Sequence, residues 1–310
     1  MASGNFFGAN SGSRIYGCDG VNRGFEFDGS TLVPIATGTS PDTPSHVAVL
    51  KSHLFWSIKS SLIHSGISAP YTYTVLSGAG EIAVGEDVTV MLVQPGSQQS
   101  GAMAVFTANN TYVLYGTSSA DWNFTPFNTG TGAKPFSGQN AAQSYVLDDR
   151  GVISLQTSLN YGNFDQSTLT IQVRPFITDK KNKINCSCLN REKSQYRLFF
   201  NDGYGLYLTI VNGNYLGCIP TYFPVAMNVV YEAEDSSGNE ITFAGGADGY
   251  VYQLDKGTSF DGNGIGATLK LNFNSIGNSR VIKRFRKASI ELNSNGYASF
   301  DFGHVVGYGD

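Results

Sequence analysis

The 310-residue chain contains few charged side chains, few histidines and no long apolar segment. Charged residues make up 14% of the chain, against roughly 25% in an average soluble domain, which fits a protein that works inside an assembly. The net charge of −4 predicts no general attraction to nucleic acid or membrane surfaces. The longest strongly apolar run, Val88–Val93, has strand length, and the N-terminus lacks a signal-peptide pattern. We therefore expect no membrane contact.

The cysteines and histidines lack the spacing of a metal site or a disulfide. The sequence contains no C-x-x-C, H-x-H or H-E-x-x-H pattern. Cys186 and Cys188 would share one face of a strand with Cα atoms roughly 6.5–7 Å apart, at or beyond the limit for a bridge. We interpret these two, together with Cys18 and Cys218, as reduced apolar side chains, and we predict no metal and no cofactor.

Glycine and aromatic residues are abundant, with 37 Gly, 20 Phe and 17 Tyr. This composition is typical of many short strands joined by tight turns. Asp-Gly and Asn-Gly pairs, such as Asp202-Gly203 and Asn212-Gly213, suit type I′ hairpin turns. No stretch carries the apolar stripe and caps of an amphipathic helix.

Six hairpin units follow one another along the chain. Their leading strands are predicted to begin near Ile15, Leu54, Val105, Tyr145, Tyr196 and Ile241. The spacing of about 40–50 residues is that of a four-stranded propeller blade. We therefore predict an all-β, propeller-like array of about six antiparallel blades in residues 1–266, with a β-sandwich as the alternative.

Residues 267–310 differ from the array, because they contain three long segments of alternating polarity. We expect them to be C-terminal β strands that close the array or leave it. One segment carries five cations within eight residues, Arg280, Lys283, Arg284, Arg286 and Lys287. The cluster is either a solvated edge strand that blocks edge pairing, or a contact to an acidic neighbouring subunit or to DNA phosphates.

Four segments resemble the β-propeller part of the tail tubular, or nozzle, proteins of short-tailed bacteriophages and related prophages. They are Val21–Gly38, Val75–Gly96, Asn190–Leu206 and Gly246–Gly262. The resemblance extends over roughly Arg14 to Gly303, although family members are often much longer than this chain.

The resemblance implies a ring, usually a hexamer, below the portal and adaptor proteins, with a lumen for DNA. The expected function is therefore structural. The expected partners are further copies of the chain, the adaptor or other tail proteins, and genomic DNA contacted non-specifically. The expected location is the virion tail, after synthesis in the host cytoplasm.

The alternative is a propeller that binds or hydrolyses glycans on the host surface. Glu232 and Glu234 would share a strand face, whereas the adjacent Asp148 and Asp149 would point to opposite faces. Paired carboxylates for glycoside cleavage sit about 5–9 Å apart across a cleft, and no cleft is evident in the sequence. The two tryptophans, Trp56 and Trp122, are few for a sugar-stacking site. We therefore predict no enzymatic activity.

Overall fold

The computed structural model describes residues 7–94, 101–141, 143–155 and 168–271, with the later positions 278, 280, 281, 284, 287, 289–291 and 299–304. The chain divides into two units, residues 1–260 and 261–310. The first unit contains six antiparallel sheets arranged in a ring, which is the architecture of a six-bladed β-propeller. The predicted fold class is therefore confirmed, and the β-sandwich alternative is wrong.

Blades 1 to 3 are four-stranded meanders, in which each strand pairs with the next one along the chain. Blade 1 contains β1 (Phe7–Ser11), β2 (Arg14–Cys18), β3 (Phe25–Phe27) and β4 (Leu32–Pro34). Blade 2 contains β5 (His46–Leu50), β6 (His53–Ile58), β7 (Ser61–His64) and β8 (Gly80–Ala83). Blade 3 contains β9 (Val88–Val93), β10 (Gly101–Thr107), β11 (Asn110–Gly116) and β12 (Asn123–Thr129).

Blades 4 and 6 have three named strands each, and blade 5 has four. Blade 4 contains β13 (Gln139–Asn140), β14 (Ser144–Asp148) and β15 (Gly151–Ser154). Blade 5 contains β16 (Ile184–Asn190), β17 (Gln195–Phe200), β18 (Tyr204–Val211) and β19 (Asn214–Tyr222). Blade 6 contains β20 (Met227–Glu234), β21 (Glu240–Gly246) and β22 (Val251–Gln253).

Within the described residues outside Leu155, which borders an undescribed stretch, helical structure is confined to short segments. One α-helix, α1 (Arg174–Lys180), begins with Pro175 in its first turn, where proline costs no helical hydrogen bond. Two 3₁₀ turns span Val75–Ser77 and Ile171–Val173. Within the described residues, no helix has the length and hydropathy needed to cross a membrane.

The predicted leading strands are the second strands of their blades, namely β2, β6, β10, β14, β17 and β21. The innermost strand of each blade precedes them. The reason lies in the turns: Asp202-Gly203 joins the second strand of blade 5 to the third, whereas the first turn of blade 2 is made by Lys51 and Ser52. Their φ angles of 47° and 62° are unusual for such residues, so the sequence does not reveal this turn.

Each blade contributes one face to the interface on either side of it. Phe55 and Trp56 are adjacent on β6 and both are 0% exposed. Phe55 packs with Met103 of blade 3, while Trp56 packs with Tyr16 of blade 1. This follows from the alternation of side chains along a strand. Apolar clusters of this kind join blades 1 to 2, 2 to 3, 3 to 4, 4 to 5 and 5 to 6.

The faces between blades 6 and 1 differ from the other five pairs. On blade 6, Val229 is 60% exposed, Tyr231 67% and Val251 73%. On blade 1, Ile15 and Leu32 are 45% and 42% exposed. We call these two apolar faces the blade 1–6 gap, because among the described residues no cluster of buried apolar side chains joins them as it joins the other five pairs.

The hairpin of β23 (Ser259–Phe260) and β24 (Asn263–Gly264) lies at the boundary between the two units. Beyond Gly264 the described residues belong to neither helix nor strand. The three strand segments predicted within 267–303 lie partly outside the described residues. They remain predictions, as does the domain boundary after residue 266.

Candidate functional site: the central channel and a buried ionic cluster

The innermost strands of the six blades surround a central cavity of about 390 Å³. Its wall includes one polar or small residue from every blade: Gly8, His46, Thr89, Gln139, Asn185 and Asn228. This volume lies in the range of about 300–1,000 Å³ that is typical of small-molecule pockets. We therefore take the channel as one candidate site of the propeller.

Amide side chains join neighbouring blades around the channel. Gln139 Nε2 of blade 4 donates to Ser187 O at 2.9 Å and to Ser187 Oγ at 3.1 Å. Asn185 Nδ2 of blade 5 donates to Asn228 Oδ1 of blade 6 at 3.0 Å. These bonds connect the inner strands of neighbouring blades beside the cavity, where there is less apolar packing.

His46 belongs to the channel wall as a neutral side chain. Its Nδ1 lies 2.9 Å from Ser57 Oγ and 3.1 Å from Ser45 Oγ. Burial lowers its pKa to about 4, against the smaller opposing effect of a hydrogen bond with the Thr89 backbone. At neutral pH the described wall residues therefore include no charged group.

These properties make the channel unsuitable as a DNA passage. The cavity of about 390 Å³ has the size of a small-molecule pocket, whereas the major groove of a duplex alone is about 12 Å wide and about 8.5 Å deep, so the cavity volume is too small for a turn of duplex DNA. Lys and Arg side chains provide the phosphate contacts that dominate DNA affinity, and the described wall includes none.

A buried ionic cluster lies between blades 5 and 6. The Arg197 side chain on β17 is 1% exposed, and its Nη2 is 2.7 Å from Asp255 Oδ2. Its Nε and Nη2 donate to Gln195 Oε1 at 3.0 and 2.8 Å, and its guanidinium lies 4.5 Å from the centre of the Tyr207 ring. Lys193 Nζ also pairs with Asp255 at 2.9 Å. These contacts offset the high cost of removing the guanidinium from water.

Two polar atoms of the cluster lack a hydrogen-bond partner within the described part of the chain, Arg197 Nη1 and Glu232 Oε1. Burial raises the pKa of Glu232 to about 7, while a hydrogen bond with Cys188 lowers it and nearby Glu240 raises it. Glu232 is therefore partly protonated near neutral pH. Burial also raises the pKa of Cys188, so its thiol is a poor nucleophile at neutral pH.

The acidic residues singled out in the sequence differ in burial and in partners. Glu232 lies in the interface between blades 5 and 6, whereas Glu234 is exposed at the end of β20. Asp148 is buried and accepts a hydrogen bond from Gly132 N at 3.3 Å. Asp149 instead pairs with lysines at 2.8 and 2.9 Å. Glu232 and Glu234 thus share one face of β20, as predicted, but differ in exposure, whereas Asp148 and Asp149 have different partners.

The predicted basic cluster is only partly described. Arg280, Arg284 and Lys287 are exposed, and Lys283 and Arg286 lie outside the described residues. The choice between a solvated edge and an assembly or phosphate contact therefore remains a prediction.

Three of the four cysteines and three of the four histidines are buried, whereas Cys218 is partly buried and His304 is exposed. The four cysteines are free, and Cys186 and Cys188 pack in the same interface cluster, as the strand alternation predicts. His53 and His64 are each 2% exposed. Among the described residues, no group of three or more His, Cys, Asp or Glu side chains is arranged to hold a metal ion.

The sequence interpretation missed Arg197 and Asp255. The available signal was a single arginine within the apolar strand segment YRLFF, because a charged side chain at a buried strand position needs a partner. Nothing in the sequence identified Asp255 as that partner.

No protein-family model and no curated protein sequence matches the chain. Solved structures that it matches include the computationally designed Ika8 protein, at 11% sequence identity and a TM-score of 0.46, with 79% of this chain and 69% of that chain covered. Another is BBS1N in complex with ARL6DN, at 12% identity and a TM-score of 0.48, with 77% and 71% covered. At these values the likeness carries no argument about function.

Proposed function

We propose that the chain is a non-enzymatic structural component of the tail of a short-tailed bacteriophage or prophage. In this function it assembles with further copies, in a ring such as a hexamer, and with the adaptor or other tail proteins. It is made in the host cytoplasm and becomes part of the virion tail.

One observation carries this proposal. The resemblance to nozzle proteins implies a β-propeller, and the segments that carry the resemblance are distributed over several blades of the propeller that this chain forms. Val21–Gly38 contains two strands of blade 1, and Val75–Gly96 joins blade 2 to blade 3. Asn190–Leu206 belongs to blade 5, and Gly246–Gly262 contains the last strand of blade 6. Because the propeller fold alone serves many functions, the order of these segments is what favours a tail protein.

The channel properties define where DNA would pass in this proposal. The uncharged cavity at the centre of one propeller is too small for a DNA duplex. In this proposal the DNA therefore passes through a lumen that several copies of the chain surround. The basic residues Arg280, Lys283, Arg284, Arg286 and Lys287 are candidates for contacts to phosphates or to a neighbouring tail protein.

The glycan-directed alternative has less support. Trp56 is fully buried, and Trp122 is partly buried against the core between blades 2 and 3 with its Nε1 buried, so neither indole ring is a fully exposed platform for sugars. Glu232 has a pKa raised to about 7, a value that would suit a general acid, but its side chain lies in an interface between blades. These positions favour a structural role over sugar binding or cleavage.

The proposal is tested by mass spectrometry and immunogold electron microscopy of tails from particles that a host encoding this chain produces. We expect the chain in stoichiometric amounts at the tail. Its absence from purified particles would contradict the proposal. Release of reducing sugar from host envelopes by the wild type, lost in Glu232→Gln, would instead support the glycan-hydrolysing alternative.

A further inference from the structure

Three of the four histidines lie on one face of blade 2, and that face packs on blade 3. His53 and Phe55 share a face of β6 because side chains alternate along a strand, and His64 of β7 lies directly opposite Phe55. His46 of β5 lies opposite Ser57, which follows Phe55 on the same face. His46 is 7% exposed, and His53 and His64 are each 2% exposed. We call the interface around His53 and His64 the histidine seam.

His53 and His64 share one hydrogen-bond acceptor. Their Nδ1 atoms lie 2.7 and 3.2 Å from the carbonyl oxygen of Ser65. Because a carbonyl oxygen only accepts, each neutral ring carries its proton on Nδ1 and a lone pair on Nε2. The two ring centroids are 5.4 Å apart, with an angle of 86° between the ring planes. A second proton on each ring would therefore place two positive charges at this short separation.

Among the described residues, no acceptor is available for a proton on the Nε2 atom of His53. This atom is buried and has no hydrogen-bond partner there, and the same holds for Nε1 of the neighbouring Trp122. An indole nitrogen is a donor only, so it cannot accept a hydrogen bond from a protonated ring. The indole ring lies 5.5 Å from the His53 ring and 6.0 Å from the His64 ring, measured between centroids. The Nε2 atom of His64 packs against Gly80, where an added Cβ would lie 3.1 Å from it.

The histidines of this face favour the neutral form in the folded chain. Burial lowers the pKa of His64, a hydrogen bond with the Ser65 backbone opposes this effect, and the charge of His53 lowers the pKa further. Such a ring holds fewer protons in the folded chain than in the unfolded chain. Its contribution to stability is therefore present above about pH 6.5 and is lost as the pH falls below that value.

The strands around the two rings provide no negative charge to balance a protonated histidine. The four strands of blade 3 contain no Asp, Glu, Lys, Arg or His. Their ionisable side chains, Tyr112 and Tyr115, are neutral at and below about pH 7. On blade 2, Glu81 lies on the other face of the sheet, and Lys51 and Lys59 are exposed in turns.

The carboxylates in the loops beside the seam have other partners. Asp121 accepts hydrogen bonds from the backbone N–H groups of Thr117 and Ser118 at 3.0 and 2.7 Å. Glu86 accepts one from Thr107 Oγ1 at 2.7 Å. Within the described part of the chain, neither imidazole of the seam is hydrogen-bonded to a carboxylate.

We propose that the histidine seam is an acid-operated joint, in which protonation of His53 and His64 separates blade 2 from blade 3 in mildly acidic solution. The charged rings repel each other and are held out of water while the seam is closed, so opening relieves both costs. Histidine is the side chain whose charge changes in this pH range.

Opening of the seam would release blades 1 and 2 as a pair. Among the described residues no apolar cluster joins blade 6 to blade 1, so the seam is the apolar interface that attaches these two blades to the other four. Blades 1 and 2 stay joined to each other through Tyr16 and Trp56. The inference does not depend on the proposed tail function, because it uses only contacts within one chain.

The two tryptophans of the chain provide the test, because each reports on one interface. In full-length Trp56→Phe the remaining Trp122 reports on the seam, and in Trp122→Phe the remaining Trp56 reports on the interface between blades 1 and 2. Between pH 7 and pH 5 we expect acrylamide quenching of Trp122 to rise at least about threefold, while that of Trp56 changes by less than about 1.5-fold. If Trp56→Phe does not fold, subtracting the Trp122→Phe signal from that of the wild type gives the Trp122 signal.

Histidine variants show whether the two rings cause the response. Asparagine keeps an N–H donor near the position of Nδ1 but takes up no proton, so His53→Asn/His64→Asn should lose the pH response of Trp122. His304→Asn is the control, since His304 is exposed and its loss should leave the response unchanged. If the double variant does not fold, His64→Asn alone should weaken the response.

Three results would overturn the inference. They are quenching of Trp122 that stays constant from pH 7 to pH 5, an equal rise for Trp122 and Trp56, and an unchanged response in a folded variant of the seam histidines. The equal rise would indicate acid unfolding of the whole propeller. Global stability is a poorer measure, because Glu232 between blades 5 and 6 changes it with pH in the opposite direction.

Discussion

The two faces of blade 6 have opposite environments, although they belong to the same three strands. On the side of blade 5, Met227 and Ala244 are each 1% exposed, and the ionic cluster around Arg197 borders the same interface. On the side of blade 1, Val229 and Tyr231 are more than half exposed. Attachment of the last blade therefore depends on one interface, in which apolar packing and a buried ion pair act together.

The largest effect should come from removing the carboxylate that pairs with the buried cation on the face of blade 6 toward blade 5, which we call the sealed face. Asp255→Ala leaves the Arg197 guanidinium, whose side chain is 1% exposed, without its carboxylate partner inside the interface. Breaking a buried pair in this way costs about 3–5 kcal/mol, which urea unfolding would measure. Arg23→Met is the control, since the Arg23 side chain is 61% exposed beside Asp42 and its loss should cost under about 1 kcal/mol. Equal losses in the two variants would contradict a structural role for the cluster.

A matched pair of truncations on β20 compares the two faces directly. Met227→Ala should lower the free energy of unfolding by about 2–5 kcal/mol because it opens a cavity in the sealed interface. Val229→Ala, on the open face of the same strand, should change it by less than about 0.5 kcal/mol in the isolated chain. A large loss for Val229→Ala in a monomeric sample would indicate that the gap is closed within one chain.

The sealed face should also respond to pH through Glu232. Its pKa in the folded chain, about 7, lies above the unfolded value, so the folded state holds more protons between these two values. Stability should therefore be fully present below about pH 4.5 and fall as the pH rises through 7, by less than about 1.4 kcal/mol per pH unit. Unfolding measured from pH 4.5 to 8 should show a shallower fall in Glu232→Gln. An identical slope in the variant would rule out this carboxyl group as the cause.

The smallest effect on folding should come from the basic cluster. Exposed charge pairs contribute only about 0–1 kcal/mol. Changing Lys283, Arg284 and Arg286 to Gln should therefore leave the melting temperature within a few degrees. Binding to partner tail proteins should weaken in the variant, and the wild-type contact should weaken with added salt. Normal docking of the triple variant at physiological salt would identify the cluster as a solvated edge.

The repeating hairpins could be predicted from the sequence because their signals are local. Asn212-Gly213 forms a two-residue turn with φ values of 52° and 78°, as a type I′ turn requires. Asp202-Gly203 also lies in a turn between paired strands, but this turn has three residues and Asp202 does not have a positive φ. The inner strands were not recognised, since turns such as Lys51-Ser52 carry no glycine. The helix Arg174–Lys180 was also missed, because seven residues are too few for a clear apolar stripe.

The environments of the two faces of β20 could not be predicted from alternation. Val229 and Tyr231 are apolar and would be assigned to the core, while the opposite face includes Glu232. In the structure the face with Glu232 packs on blade 5 and the apolar face is exposed. Burial here depends on which blade lies alongside, and that information comes from parts of the chain distant in sequence. For the same reason the Arg197–Asp255 pair could not be predicted from the sequence.

A sheet can pack against a neighbouring blade on both of its faces, as Phe55 and Trp56 show for blade 2. In this respect the blades resemble the units of a linear repeat array. Blades 2 to 5 are stabilised from both sides, whereas blades 1 and 6 have one well-packed neighbour each, like the terminal units of such an array. Fraying should therefore begin at these two blades in a monomer. Amide protons of β1–β4 and β20–β22 should exchange with solvent faster than those of β6 and β10, so that the point of closure is also the point where unfolding starts.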